Sequence, residues 1–288
     1  MRALWHRLGD APGARAAFVL VALLIALAVC APWIAPYPAD ASTDVIASKL
    51  LAPSAAHPFG TDPFSRDVLS RVLVGARVSL GIAAVAVLVA TAVGTCVGAV
   101  AGGLGGIADA LCMRVVDVGL AVPRVLLVIA IVALWGAQSA LALILLLGGT
   151  GWFGLARLVR NEVRALATRD FVRAASALGV PRAQRVVRHV VPHLAPLLIA
   201  HATLSTASVI ALEASLSYLG LGVRPPTPSW GNIMLDGAGS VGQYWWLTLF
   251  PALATIVTVA ALHTLGDGLR SAFSTGQLGP VRDVSPVR

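Results

Sequence analysis

Charge is scarce in this sequence. Only 12% of its 288 residues are Asp, Glu, Lys or Arg, and 58% are hydrophobic. An ordinary soluble domain carries about 25% charged residues, so this chain lacks the polar surface for a water-soluble fold. Its recurring apolar runs make it an all-α, polytopic membrane protein. Ten-residue segments with strand-type alternation are missing, which argues against an outer-membrane barrel. Lysine is nearly absent: Lys49 stands alone among 21 basic residues. No GxxxxGK[ST] run occurs, so the chain cannot cradle ATP in a phosphate loop. HExxH, GxSxG and paired catalytic carboxylates are also missing, so no enzyme is expected. Cys30, Cys96 and Cys112 are scattered in or beside apolar runs without a CxxC pair. Neither a disulfide frame nor a zinc knuckle is implied. The net charge of +8 has no aromatic-interleaved basic patch that would suggest nucleic acid. It reads instead as membrane topology, because Lys and Arg collect in cytoplasmic loops.

Six apolar runs approach the ~20 residues that cross a bilayer. They cover about 16–35, 79–101, 115–135, 137–158, 197–219 and 246–265. Arg2, Arg7 and Arg15 precede the first, against Asp10. Small residues near Cys30 and Ala31 leave a cleaved signal peptide as the rival reading for this run. The run is longer than a usual signal core, and Pro32, Trp33 and Tyr37 look like an interfacial finish. Residues 38–78 carry balanced charge and suit an external segment. Within it Val68, Leu69, Val72, Leu73 and Ala76 predict an amphipathic helix at the membrane surface.

Gly94, Gly98 and Gly102 share one helical face, a spacing that lets helices approach closely in lipid. Residues 102–106 read as a turn. Asp117 is expected to pair with Arg114 or Arg124. Arg124 must face the bundle interior or snorkel. Gly148, Gly149 and Gly151 interrupt the fourth run. Glu213 lies within the fifth, where His201, Ser205, Ser208 and Leu212 share a face. Trp230, Tyr244, Trp245 and Trp246 sit where an aromatic belt belongs. Residues 274–288 read as a loose tail.

The longest polar interruption in the second half is Arg-rich. Residues 157–196 hold Arg157, Arg160, Arg164, Arg169, Arg173, Arg182, Arg185 and Arg188 against Glu162 and Asp170. Phe171, Ala174, Ala175 and Leu178 fall on one helical face. Gly179 follows where a helix stops, and Pro181 stands where another can start. In the second helix Val186, Val187, Val190, Val191 and Leu194 form the apolar side. Counting four spans from an inside N-terminus puts this loop in the cytoplasm, in accord with its charge.

Ala174-Ala175, Gly179 and Pro192 resemble the EAA loop of ATP-binding-cassette importer permeases. Arg173 stands where that family usually has Glu, and His189 and Val191 replace its usual Ile and Leu. Three further stretches are similar to the subgroup importing dipeptides, oligopeptides and nickel: residues 57–80, residues 213–222, and the Pro-rich string 222–231. The resemblance spans about residues 57–273. It implies six transmembrane helices of the type I importer permease kind, with cytoplasmic termini, in the bacterial inner membrane. Residues 1–78 would be the tail, first helix and external amphipathic segment, and 79–273 a five-helix permease core.

The resemblance also implies partners: a second homologous permease, two cytoplasmic ATPases carrying ATP and Mg, and an extracytoplasmic solute-binding protein, all in membrane lipid. This chain would bind no cofactor or metal. Phe171, Arg173, Ala174, Ala175, Leu178, Gly179 and Pro192 would form the ATPase-coupling site. Glu213 reads as a gate or interface residue, with a structural hydrogen-bonding role equally open. His201, Ser205 and Ser208 are the companion candidates for the path. Pro225, Pro226, Pro228 and Trp230 would cap the external mouth or meet the binding protein. The expected function is half of an ATP-driven translocation path for peptides. Nickel or haem-like cargo on the same architecture, and a gradient-driven transporter, are the alternatives.

Overall fold

In a computed structural model, residues 12–41, 47–135 and 139–274 are described. The first eleven residues and the tail beyond 274 lie outside them, as do Asp44 and the start of the fourth apolar run at Ala137. The described residues are mainly helical, joined by turns and irregular loops, with an isolated antiparallel bridge between Thr61 and Asp67.

Helix α1 spans Pro12–Ile34. Helix α2, Val68–Leu104, is 37 residues long, or ~55 Å at 1.5 Å per residue. The expected surface helix is therefore not separate: the stripe from Val68 to Ala76 is the first part of α2. Its apolar positions turn inward, with Val68 and Val72 buried in the main core, so the tertiary packing that a surface helix lacks keeps it in line with the span. Asp67 caps α2, accepting from Ser70 N at 2.8 Å. The expected turn at 102–106 shrinks to Gly105 and Gly106, both at positive φ.

Helix α3 follows at Gly106–Ala121 and α4 at Arg124–Trp135, bent by 82°. Pro123 supplies no N–H at that corner, and the residue before a proline avoids helical backbone; Val122 is extended. Helices α5, Ala140–Gly151, and α6, Phe153–Ala167, meet at a 41° bend beside the Gly-rich stretch. Helix α7 is Asp170–Ala177. A short α8, Arg182–Arg185, passes through a π turn, Val186–Val190, and a 3-10 turn, Val191–Leu194. Pro192 lacks the N–H that regular α-helix would need there. Helix α9, Ala195–Tyr218, continues the same rod.

The chain ends with α10, Trp230–Gly237, and α11, Trp246–Ser274. Helix α11 runs unbroken through Gly266–Arg270, beyond the expected end of the sixth span. Among the described residues four helices are long and apolar enough to cross a membrane, or up to six if each bent pair is one span.

The main core joins α2, α4, α5, α9, α10 and α11 around Ile82, Leu143, Leu147, Ile210 and Trp230. A second core sets Leu155, Val159 and Val163 of α6 against Val172, Val190 and Leu194. Helix α1 packs on α11 and α9 through Ala14, Ala17, Ala200, Leu265 and Leu269.

The glycine face of α2 meets α6. A Cβ on Gly98 would lie 2.5 Å from Ala156 O and 2.7 Å from Val159 Cβ. Backbones this close require a residue without a side chain.

Candidate functional site

The Arg-rich corner is built on α7. Val172 and Ala175 are buried and hold α7 to the core, whereas Phe171 and Leu178 point out, Leu178 at 85% exposure. The expected face therefore divides: Ala175 turns inward, and Phe171, Ala174 and Leu178 face outward beside exposed Arg173. The Phe171 ring stacks on His193 at 4.9 Å.

Gly179 ends α7 at φ 78°. Gly179 N donates to Ser176 O at 3.0 Å and Val180 N to Ala175 O at 3.1 Å. This paired closure consumes the last helical carbonyls and turns the chain sharply. Pro181 then starts the rod that runs from Arg182 to Tyr218. The second helix of the corner is thus the root of α9 rather than a separate element. Val190 and Leu194 of its apolar side are buried, Val187 is 66% exposed, and Pro192 is exposed.

Three ion pairs fasten α6 to α3. Asp109 accepts from Arg160 Nε at 2.5 Å, from Arg160 Nη2 at 2.7 Å and from Arg164 Nη2 at 2.6 Å. Asp117 pairs with Arg157. That corrects the expected Asp117 partners, Arg114 and Arg124. The α2–α3 turn lays α3 alongside α6, which brings a residue 40 positions distant closer than local ones. Arg124 instead donates to Leu147 O at 2.7 Å, next to Gly151 of the second bend.

At the far end of the rod, Glu213 is fully buried. It accepts from Ser79 Oγ at 2.9 Å and from Ser217 Oγ at 2.7 Å. Trp230 lies beside it: its backbone N donates to Ser79 Oγ at 3.3 Å and its Nε1 to Val72 O at 3.1 Å. Trp230 is 1% exposed, so it belongs to the core and not to an aromatic belt. Trp246 is buried too and donates to Thr61 O at 3.1 Å, which leaves Trp245 as the exposed tryptophan of that group. His201 and Ser205 are half-buried on α9 and Ser208 is exposed. Pro225 and Pro226 are exposed, and Pro228 is buried beside the Ser229 cap of α10.

Residues 57–71 fold into a charged knot. Asp62, fully buried, accepts from Arg66 Nε at 2.6 Å and Arg71 Nη1 at 2.5 Å. Arg71 Nη1 also reaches Asp236 on α10 at 2.6 Å. His57 Nδ1 lies 2.9 Å from Asp67 Oδ1, and Tyr37 N donates to Ser70 Oγ at 3.0 Å. The knot and the α10 loop enclose a pocket of ≈ 420 Å³ lined by Arg66, Arg71, Arg224, Pro226 and Asp236.

Comparison with known proteins shows the family. Residues 94–276 match the family described as binding-protein-dependent transport system inner membrane component. The chain belongs to that family. Residues 1–53 also match the N-terminal transmembrane domain of oligopeptide transport permease C. The permease is 34% identical over 276 residues to the oligopeptide transport system permease protein OppC of Haemophilus influenzae, covering 94% of this chain and 88% of the relative. It is 37% identical to OppC of Escherichia coli K12, over 94% and 91% of the two chains. It is 40% identical to the glutathione transport system permease protein GsiD of Shigella flexneri, over 93% and 88%. It is therefore an inner-membrane permease subunit of an ATP-binding-cassette importer, and not itself an enzyme.

Two features of the permease escaped sequence reasoning. Asp62 and Arg66, four residues apart, hint at the knot, but nothing local connects either to Asp236. The Asp109 pairs likewise join residues more than fifty positions apart.

Proposed function

We propose that the chain forms half of a peptide translocation path and takes its drive from a separate ATPase through residues 157–196, with both termini cytoplasmic. The outward apolar face of α7 supports this most directly. Phe171 and Leu178 are exposed on a helix whose opposite side is packed, so the face is rigid and available for a partner. A second permease, two ATPases carrying ATP and Mg, and a solute-binding protein complete the assembly. The names of the relatives favour peptide cargo. The loop with Pro225 and Pro226 meets the binding protein.

ATP binding closes the ATPase pair and displaces α7. The corner at Gly179 and Pro181 passes that displacement to the rod from Arg182 to Tyr218, whose outer end carries Glu213. Tilting the rod exchanges inward-facing and outward-facing cavities. The ATPase drives this exchange only by binding the two states with different affinity.

The test is Leu178→Glu in the assembled complex. The side chain is solvent-facing, so insertion stays normal, while uptake falls at least ~100-fold if a docking contact of about 3 kcal/mol is lost. Parental uptake would sink the docking role. Uptake that persists in vesicles without ATP would reject the ATP-driven reading itself.

A further inference from the structure

Helix α8 holds two arginines without a carboxylate. Arg182 and Arg185 line a pocket of ≈ 250 Å³ with Gly102, Gly103, Val163 and Val190. Neither has an acidic partner among the described residues, and Arg185 Nε is buried with no hydrogen-bond partner. Asp109, on neighbouring α3, is already held by Arg160 and Arg164. Arg182 Nη2 lies 3.5 Å from the position a Cβ would take on Gly105. Gly105 precedes α3 and offers no side-chain cap, and the first N–H groups of a helix have no partner within it. Guanidiniums beside a helix N-terminus suit a phosphate.

A larger apolar groove lies beside the pocket. Gly103 and Val186 line both. The groove, ≈ 590 Å³, follows α2 past Leu88, Ala92, Cys96, Val100 and Leu104, with Val187 opposite. From Leu88 to Leu104 is ~24 Å of helix at 1.5 Å per residue. That exceeds one leaflet, ~15 Å of a ~30 Å hydrocarbon core, and accommodates an acyl chain.

We propose that groove and pocket form one site for an anionic phospholipid. An acyl chain lies along α2, and the phosphate sits between Arg182 and Arg185. An apolar wall lying next to a cationic pair favours this occupant. A partner helix would fill the groove without using the arginines, and free phosphate would use the arginines without the groove. The inference needs only that the chain is embedded in a membrane; because Arg182 and Arg185 lie within the proposed coupling segment, lipid retention and ATPase retention are read separately.

The test measures lipid retained by the complex, by native mass spectrometry, after exchange into vesicles of phosphatidylcholine with phosphatidylglycerol and gentle extraction. The parent should retain phosphatidylglycerol. The double variant Arg182→Gln/Arg185→Gln should retain at least roughly tenfold less, as should Val100→Trp, which fills the groove and leaves both arginines intact. Equal helical content and thermal midpoint establish that each variant is folded. Unchanged retention in either variant overturns the proposal. Displacement of the lipid by millimolar inorganic phosphate would assign the pocket to free phosphate. Loss of ATPase subunits from the arginine variant with lipid retained would assign the arginines to a protein partner.

Discussion

Arg71 reaches Asp236 across 165 residues of chain, with Nη1 2.6 Å from Oδ2. Through it the segment before α2 is tied to α10, and Asp62 beneath holds Arg71 and Arg66 together. Removing one partner from a buried ionic group leaves uncompensated charge, which costs about 3–5 kcal/mol. Asp62→Ala should therefore lower the thermal midpoint of the purified complex strongly. Asp236→Asn should do less, because its side chain is 20% exposed. Limited proteolysis at exposed Phe64 would follow the same order. An Asp62→Ala protein as stable as the parent would show that the knot does not hold the fold.

The α2–α6 contact predicts sharply different outcomes for two glycines. Gly98→Leu has no space, with Ala156 O and Val159 against the first added atom, and should prevent α6 from seating. Even Gly98→Ala should cost about 1–3 kcal/mol, as overpacking does. A Cβ on Gly149 meets nothing within 4 Å, so Gly149→Ala should insert and assemble normally. Membrane yield and thermal midpoint, compared side by side, check both.

Asp109 takes three hydrogen bonds from Arg160 and Arg164. It links α3 to α6, the helix that leads into α7. Asp109→Asn should leave the complex assembled but loosen that link, so ATPase activity persists while uptake per ATP falls several-fold. The charge exchange Asp109→Arg with Arg160→Asp should recover part of the loss. A proportional fall of both activities would mean that Asp109 only supports assembly.

Glu213 offers a choice between structure and gating. Glu213→Ala would strand the Ser79 and Ser217 hydroxyls and leave a void, a loss of about 2–5 kcal/mol. If the carboxylate is structural, the surviving protein should transport normally per molecule at a lower thermal midpoint. Normal stability with lost uptake would make it a gate.

Much of this architecture is written in local pattern. Apolar runs of span length fix the class, because in lipid only a helix satisfies every backbone group within its own segment. The Gly179–Pro181 corner was legible, since only those residue types end one helix and start another so abruptly. The glycine stripe of α2 announced a close contact, though not that α6 would fill it. Tertiary structure alone decided the rest. The stripe from Val68 to Ala76 has the same periodicity on a membrane surface as in a core; burial of Val68 and Val72 made it part of α2. Trp230 has the place in sequence of an aromatic-belt residue, yet its N–H donates to the buried carbonyl of Val72. Asp117 passed over nearer arginines for Arg157, and Asp62 found Asp236 as a fellow ligand of Arg71. Such pairings depend on which helices lie side by side. Sequence spacing encodes a helix's own faces, and the neighbour each face meets is settled only when the whole bundle packs.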